Sequence, residues 1–162
     1  MQQCEAAGIA PTRVYAATGT GGTLAGLVAG HLALEAGPEI VGVAVSRKDE
    51  GYEGRCAALA NASLAWLGSD VSVTADDFTV DRGYFEPGYE QPNEAANEAI
   101  RLLARTEGLL TDPVYTGKAL AGLLDHIRTG KIRSGETVVF WHTGGATALF
   151  AEQAILGNLA DK

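Results

Sequence analysis

Cysteine is scarce in this chain. Cys4 and Cys56 are the only two among 162 residues, too few for a disulfide framework and in keeping with a reducing compartment, so a cytoplasmic location is expected. Basic residues are also scarce: 12 Lys+Arg stand against 20 Asp+Glu, a formal net charge of −8. A surface of that sign carries no electrostatic footprint for a polyanion, and no nucleic-acid partner is expected. Long hydrophobic runs are missing, and none approaches the ~20 consecutive apolar residues of a membrane span. The opening Met1-Gln2-Gln3-Cys4-Glu5 has neither the basic region nor the apolar core of a secretory signal. Three scattered histidines and two distant cysteines do not fit metal-ligand spacing, so no metal is expected. There is no G-x-S-x-G elbow, internal repeat, low-complexity tract or obvious linker.

What is present is an ordinary globular composition, 46% hydrophobic and 20% charged, at a length suited to one domain. Glycine is the exception, with 21 residues, close to twice the ~7% average share. The pattern alternates short apolar runs with amphipathic stretches. Arg13–Ala17 and Ile40–Val45 read as strands, with a helix from Leu24 to Glu35 between them that Gly37-Pro38 stops. Their near-continuous apolar character predicts strands covered on both faces, as in a parallel sheet. Glu53–Leu67 is predicted helical and Val71–Val73 a short strand. Phe78–Pro92 reads as an ordered surface loop. Asn93 is placed to cap a helix reaching about Arg105, and another helix follows Asp112-Pro113. Thr137–Trp141 is the last strand, followed by a helix over about Ala146 to Leu156. Strand–turn–helix units in series predict an α/β fold, a three-layer doubly wound parallel sheet.

The glycines concentrate where chemistry is expected. Thr18-Gly19-Thr20-Gly21-Gly22-Thr23 lies between a strand and a helix. Glycines there let backbone N–H groups turn toward an anion, and the helix N-terminus favours phosphate. Thr20 and Thr23 can add hydroxyl donors; the plainer alternative is a tight turn without a ligand. A dinucleotide motif started at Gly19 would need glycine where Leu24 stands. No Gly-Lys is followed by Ser or Thr, as a nucleotide P-loop requires. A single phosphate monoester suits the segment better. Two further turns, around Tyr115-Thr116 and His142-Thr143-Gly144-Gly145, put hydroxyls where an apolar run meets a helix. In a parallel sheet this is the C-terminal edge, where ligands bind; helix capping is the alternative for Thr116 and Thr143. His31 and His126 read as solvated or satisfied helix residues, and His142 as a local hydrogen-bonding group. Asp76-Asp77 reads as a solvated loop pair.

Four segments together resemble one family. AATGTGGTLAGL (Ala16–Leu27), FEPGYEQPN (Phe85–Asn93), LLTDPVYTGKALAGLLDHI (Leu109–Ile127) and FWHTGGATALF (Phe140–Phe150) are similar to the D-cysteine desulfhydrase and 1-aminocyclopropane-1-carboxylate (ACC) deaminase family. Its members are fold-type II, tryptophan-synthase-β-like pyridoxal 5'-phosphate (PLP) enzymes. The resemblance implies that Gly19, Thr20, Gly21, Gly22 and Thr23 hold the PLP phosphate and that Thr116 faces the pyridine nitrogen. It also implies that Tyr89, Tyr115 and Thr143 border a small amino-acid substrate. ACC deaminases typically carry Glu at the position of Thr116 and Leu at that of Thr143. A neutral threonine cannot stabilise a protonated ring as a carboxylate does, so this pair favours the desulfhydrase side.

The same resemblance exposes a gap. Family members run to about twice this length, and their Schiff-base lysine precedes the phosphate turn, whereas the lysines here are Lys48, Lys118, Lys131 and Lys162. The chain is therefore expected to correspond to the C-terminal half of such an enzyme, part of its large domain. The complete enzyme is expected to be a homodimer converting D-cysteine to pyruvate, sulfide and ammonia. This chain alone is expected to be inactive. An ACC deaminase-like enzyme and a non-catalytic fragment that binds PLP or another phosphate ligand are the alternatives.

Overall fold

The computed structural model describes residues 2–34 and 37–156. After a short helix α1 (Gln2–Ala6), the chain alternates: β1 (Arg13–Thr18), α2 (Gly22–Ala33), β2 (Glu39–Ala44), α3 (Tyr52–Trp66), β3 (Thr79–Asp81), α4 (Glu94–Glu107), α5 (Thr116–Arg128) and β4 (Val138–Trp141). Two four-residue helices, α6 (Ala148–Ala151) and α7 (Gln153–Leu156), end the described segment. The four strands form one parallel sheet in the order β3-β2-β1-β4.

Side chains alternate across β1 and β2, and each face of the sheet has its own core. Val14 and Ile40 point to α2 and α3, where they meet Leu24, Val28, Tyr52, Cys56 and Leu64. Tyr15, Ala17, Val41 and Val43 point the other way, onto Ala119, Leu120 and Leu123 of α5 and Ala99 of α4. Both faces are thus covered, which is why these strands read as unbroken apolar runs. The result is the expected three-layer doubly wound α/β sheet. Asn93 caps α4 as expected: its side-chain oxygen accepts from Ala96 N–H at 2.8 Å.

Three local expectations need correction. Val71–Val73 has no regular structure and joins no strand. Its Val73 backbone pairs instead with the Asn61 side chain, whose amide donates to the Val73 carbonyl at 2.7 Å while its oxygen accepts from the Val73 N–H at 2.8 Å. The third strand lies at Thr79–Asp81, inside the stretch read as loop, and pairs with Val41–Val43. The helix expected over Ala146–Leu156 is broken at Glu152. The expected end of the first helix, at Glu35, lies outside the described residues.

Candidate cofactor site

The parallel arrangement brings the C-terminal ends of β1 and β4 side by side, with Ala16 registered against Trp141. Immediately beyond them lie the Thr18–Thr23 turn and the His142–Gly145 turn. Together with the α5 N-terminus they enclose a cavity of about 320 Å³ lined by Ala17 to Thr23, Tyr115 and Thr143. Gly21 makes the sharp entry into α2 with φ +102°, a left-handed conformation that favours glycine. A Cβ at Gly21 would lie 2.5 Å from Cys56 Sγ and 3.3 Å from the Tyr52 hydroxyl. The first backbone bond of α2 runs from Ala25 N–H to the Gly21 carbonyl. Among the described residues, the N–H groups of Gly22, Thr23 and Leu24 meet no protein acceptor, and no side chain caps the helix. A helix end that opens into a cavity with its donors free is matched to an oxyanion.

The floor of this turn is tied down from α3 and the loop before it. Thr18 Oγ1 and the Tyr52 hydroxyl share a 2.6 Å hydrogen bond. Lys48 Nζ donates to the Gly19 carbonyl and to Ser46 Oγ, each at 2.7 Å, and lies over the Tyr52 ring. Burial pushes the Tyr52 phenol up to about 12 and lowers the Lys48 ammonium, as expected when the charged form loses water.

The α5 corner is organised by Asp112. Its carboxylate accepts from the backbone N–H groups of Val114, Tyr115 and Thr116, and from Thr116 Oγ1 at 2.6 Å. It therefore provides the cap that the N-cap residue itself, Tyr115, does not supply. The His142–Gly145 turn passes against it, for a Cβ at Gly145 would sit 2.8 Å from Asp112 Oδ1. His142 bonds locally, its Nδ1 accepting from the Gly144 N–H at 3.0 Å, but its Nε2 also reaches the Leu110 carbonyl, 32 residues earlier, at 2.9 Å, which corrects the purely local role expected for it.

The residues singled out in the sequence are thus distributed unequally. Gly19 to Thr23, Tyr115 and Thr143 share one cavity. Tyr89 reaches it through Tyr115: the two hydroxyls are hydrogen-bonded and the rings meet edge to face. That bond is the main reason the Tyr89 phenol is pushed up to about 12. Thr116 is completely buried and outside the cavity lining, its hydroxyl closed in a ring with Asp112, from whose N–H it also accepts at 2.9 Å.

Comparison with known proteins decides which family this geometry represents. Residues 1–144 match the family described as "Pyridoxal-phosphate dependent enzyme". The chain belongs to this family. Among curated relatives of the PLP-dependent family, D-cysteine desulfhydrases of Salmonella typhi and Salmonella newport are 44% and 45% identical to it, each over 93% of this chain. Those alignments cover 45% and 44% of the two relatives, so the chain spans a little under half their length. A crystal structure of an ACC deaminase homologue superposes with a TM-score of 0.78 and 34% identity, covering 91% of this chain and 44% of that one.

The described residues fit the phosphate end of a PLP cofactor. The donor set is neutral, made of amides and hydroxyls at a helix N-terminus. No described lysine lines the cavity. Lys118 is buried against the carbonyls of Phe85 and Gly88, and Lys131 lies beside His126; Lys162 lies outside the described residues. No group of three His, Cys, Asp or Glu side chains suited to a metal occurs among the described residues. No helix there is long and apolar enough to cross a membrane. Sequence reasoning missed Asp112, Tyr52 and Lys48 as parts of the site. Only Asp112 left a signal, since Asp followed by Pro before a helix is a turn and cap signature.

Proposed function

We propose that this chain forms the phosphate-binding half of a PLP-dependent lyase acting on D-cysteine, yielding pyruvate, sulfide and ammonia in the complete enzyme. The observation that carries this reading is the shared cavity of the Gly19–Thr23 turn, Tyr115 and Thr143. The likeness to D-cysteine desulfhydrases supports it. Bound PLP supplies an electron sink through which an amino acid can lose its α-proton and a β-substituent. The free N–H groups at the start of α2 hold the phosphate, aided by Thr20 and Thr23. Tyr115 closes one wall, and its hydroxyl orients that of Tyr89 toward the substrate; Thr143 borders the substrate from the β4 side. For Thr116 to reach the pyridine nitrogen, its hydroxyl has to exchange Asp112 for the ring.

The absence of a described lysine from the cavity lining supports a second statement: this polypeptide alone binds PLP but does not turn D-cysteine over. The amine that captures the cofactor's aldehyde provides covalent catalysis, and here it comes from the part of the family's length that this chain does not span. The complete enzyme is a soluble, cytoplasmic homodimer in this reading. The structural match to an ACC deaminase homologue favours a second reading, release of 2-oxobutyrate from ACC. Incubating the chain, and the chain joined to a lysine-bearing N-terminal half, with PLP and either D-cysteine or ACC separates the readings. Sulfide from D-cysteine only in the joined protein is the expected outcome. Sulfide from the chain alone contradicts its inactivity, and 2-oxobutyrate without sulfide contradicts the substrate.

A further inference from the structure

Lys118 sits in the first turns of α5 with no exposed surface. No carboxylate pairs with its ammonium among the described residues; Asp112 acts on it only at longer range, and burial lowers its pKa. Nζ donates to the Gly88 carbonyl at 2.6 Å and to the Phe85 carbonyl at 3.3 Å. The same loop is held a second time by Asn93, whose amide donates to the carbonyls of Tyr84 at 3.1 Å and Glu86 at 2.7 Å. Two side chains thus collect four carbonyls from five residues of a glycine- and proline-bearing loop, and the next residue is Tyr89.

For stability alone, an apolar side chain of similar length fills such a slot at lower free-energy cost than an unpaired buried ammonium. What it cannot do is hold two carbonyls of a turn. We propose that Lys118 is a positioning residue that latches the Phe85–Gly88 loop to α5, so that the Tyr89 hydroxyl stays on Tyr115 at the mouth of the cofactor cavity. Tyr115 stands at the N-cap position of α5 and Lys118 lies three residues further along, so the loop is fixed at the N-terminal end of α5 both through its carbonyls and through the Tyr89 hydroxyl. The functional weight of this latch rests on the reading of Tyr89 as a substrate-bordering group.

The test compares the full chain with Lys118→Met, using Tyr115→Phe as the reference for a released Tyr89. The Tyr84–Tyr89 stretch contains three chymotrypsin sites, Tyr84, Phe85 and Tyr89. Nicking there is expected to accelerate about tenfold in Lys118→Met, because cleavage follows the population of the open loop. Nitration of Tyr89 by tetranitromethane, mapped by mass spectrometry, is expected to rise to the level of Tyr115→Phe, while the melting temperature stays level or increases. Nicking and nitration both within about twofold of the parent chain overturn the proposal. So does a rise in both that is accompanied by global destabilisation. If Lys118→Met does not fold, Lys118→Gln takes the same measurements, with a smaller rise expected because its shorter amide can reach one carbonyl. None of these readings uses D-cysteine, so a failed desulfhydrase assay beside a loosened loop refutes the functional reading and leaves the latch standing.

Discussion

Replacing Gly21 by alanine is the sharpest perturbation of the cradle. The backbone there has φ +102°, which costs an L-residue ~1–2 kcal/mol. The new Cβ would also lie 2.5 Å from Cys56 Sγ, and overpacking of that kind costs ~1–3 kcal/mol. Together the expected loss is ~2–5 kcal/mol, a large fraction of a domain's usual ~5–15. The natural control is one residue away. A Cβ at Gly22 meets nothing within 4 Å, so Gly22→Ala in the first turn of α2 should stabilise by ~0.5–1 kcal/mol. Urea unfolding followed by circular dichroism reads both. Adding Cys56→Ala to Gly21→Ala separates the two contributions, because it removes the collision and leaves the backbone strain. A Gly21→Ala midpoint equal to that of Gly22→Ala would refute the reasoning.

Two further outcomes follow from buried hydroxyls. The Tyr52 phenol, 3% exposed, is raised to about 12 in the folded chain from an ordinary value near 10. Its stabilisation is therefore complete below about pH 10 and is lost as pH rises to about 12, amounting to ~2–3 kcal/mol. Alkaline unfolding should begin in that window and move upward in Tyr52→Phe, and a stability flat from pH 9 to 12 would contradict the assignment. Thr116→Val keeps the side-chain shape but leaves the Asp112 N–H without its acceptor and removes one donor from the carboxylate. A loss of ~1–3 kcal/mol is expected by urea unfolding, and a neutral result would show that the ring with Asp112 carries no weight.

The sequence made visible those parts of the molecule where one physical demand dominates. Covered strands have to be apolar throughout, so β1 and β2 stood out; β4 stood out by its apolar run as well, although it lies at the sheet edge with no buried residue. A left-handed turn into a helix selects glycine, so the cradle stood out as well. The third strand did not, because Val73 satisfies the apolar signal while its backbone pairs with Asn61. Thr79–Asp81, which does join the sheet, offers one apolar side chain in three. His126 was expected to be a solvated or satisfied helix residue; it is buried and satisfied, bridging Tyr15 at 2.7 Å and Asp81 at 2.8 Å. Nothing in the sequence indicated those partners, 111 and 45 residues away. Lys118 was equally silent. A lysine in an amphipathic helix ordinarily reaches solvent, and only the position of a loop thirty residues earlier turns it inward. The Asp112 ring with Thr116 was hidden behind a common turn signature.

The central claim is that the Gly19–Thr23 turn grips a phosphate monoester, and one titration tests it most directly. Amide resonances of the isotope-labelled chain are followed as PLP, pyridoxal and inorganic phosphate are added in parallel. Shifts centred on Gly19 to Leu24 with PLP, weaker ones at the same amides with phosphate, and none there with pyridoxal are the predicted result. Equal responses to PLP and pyridoxal, or shifts that leave these amides untouched, would contradict it.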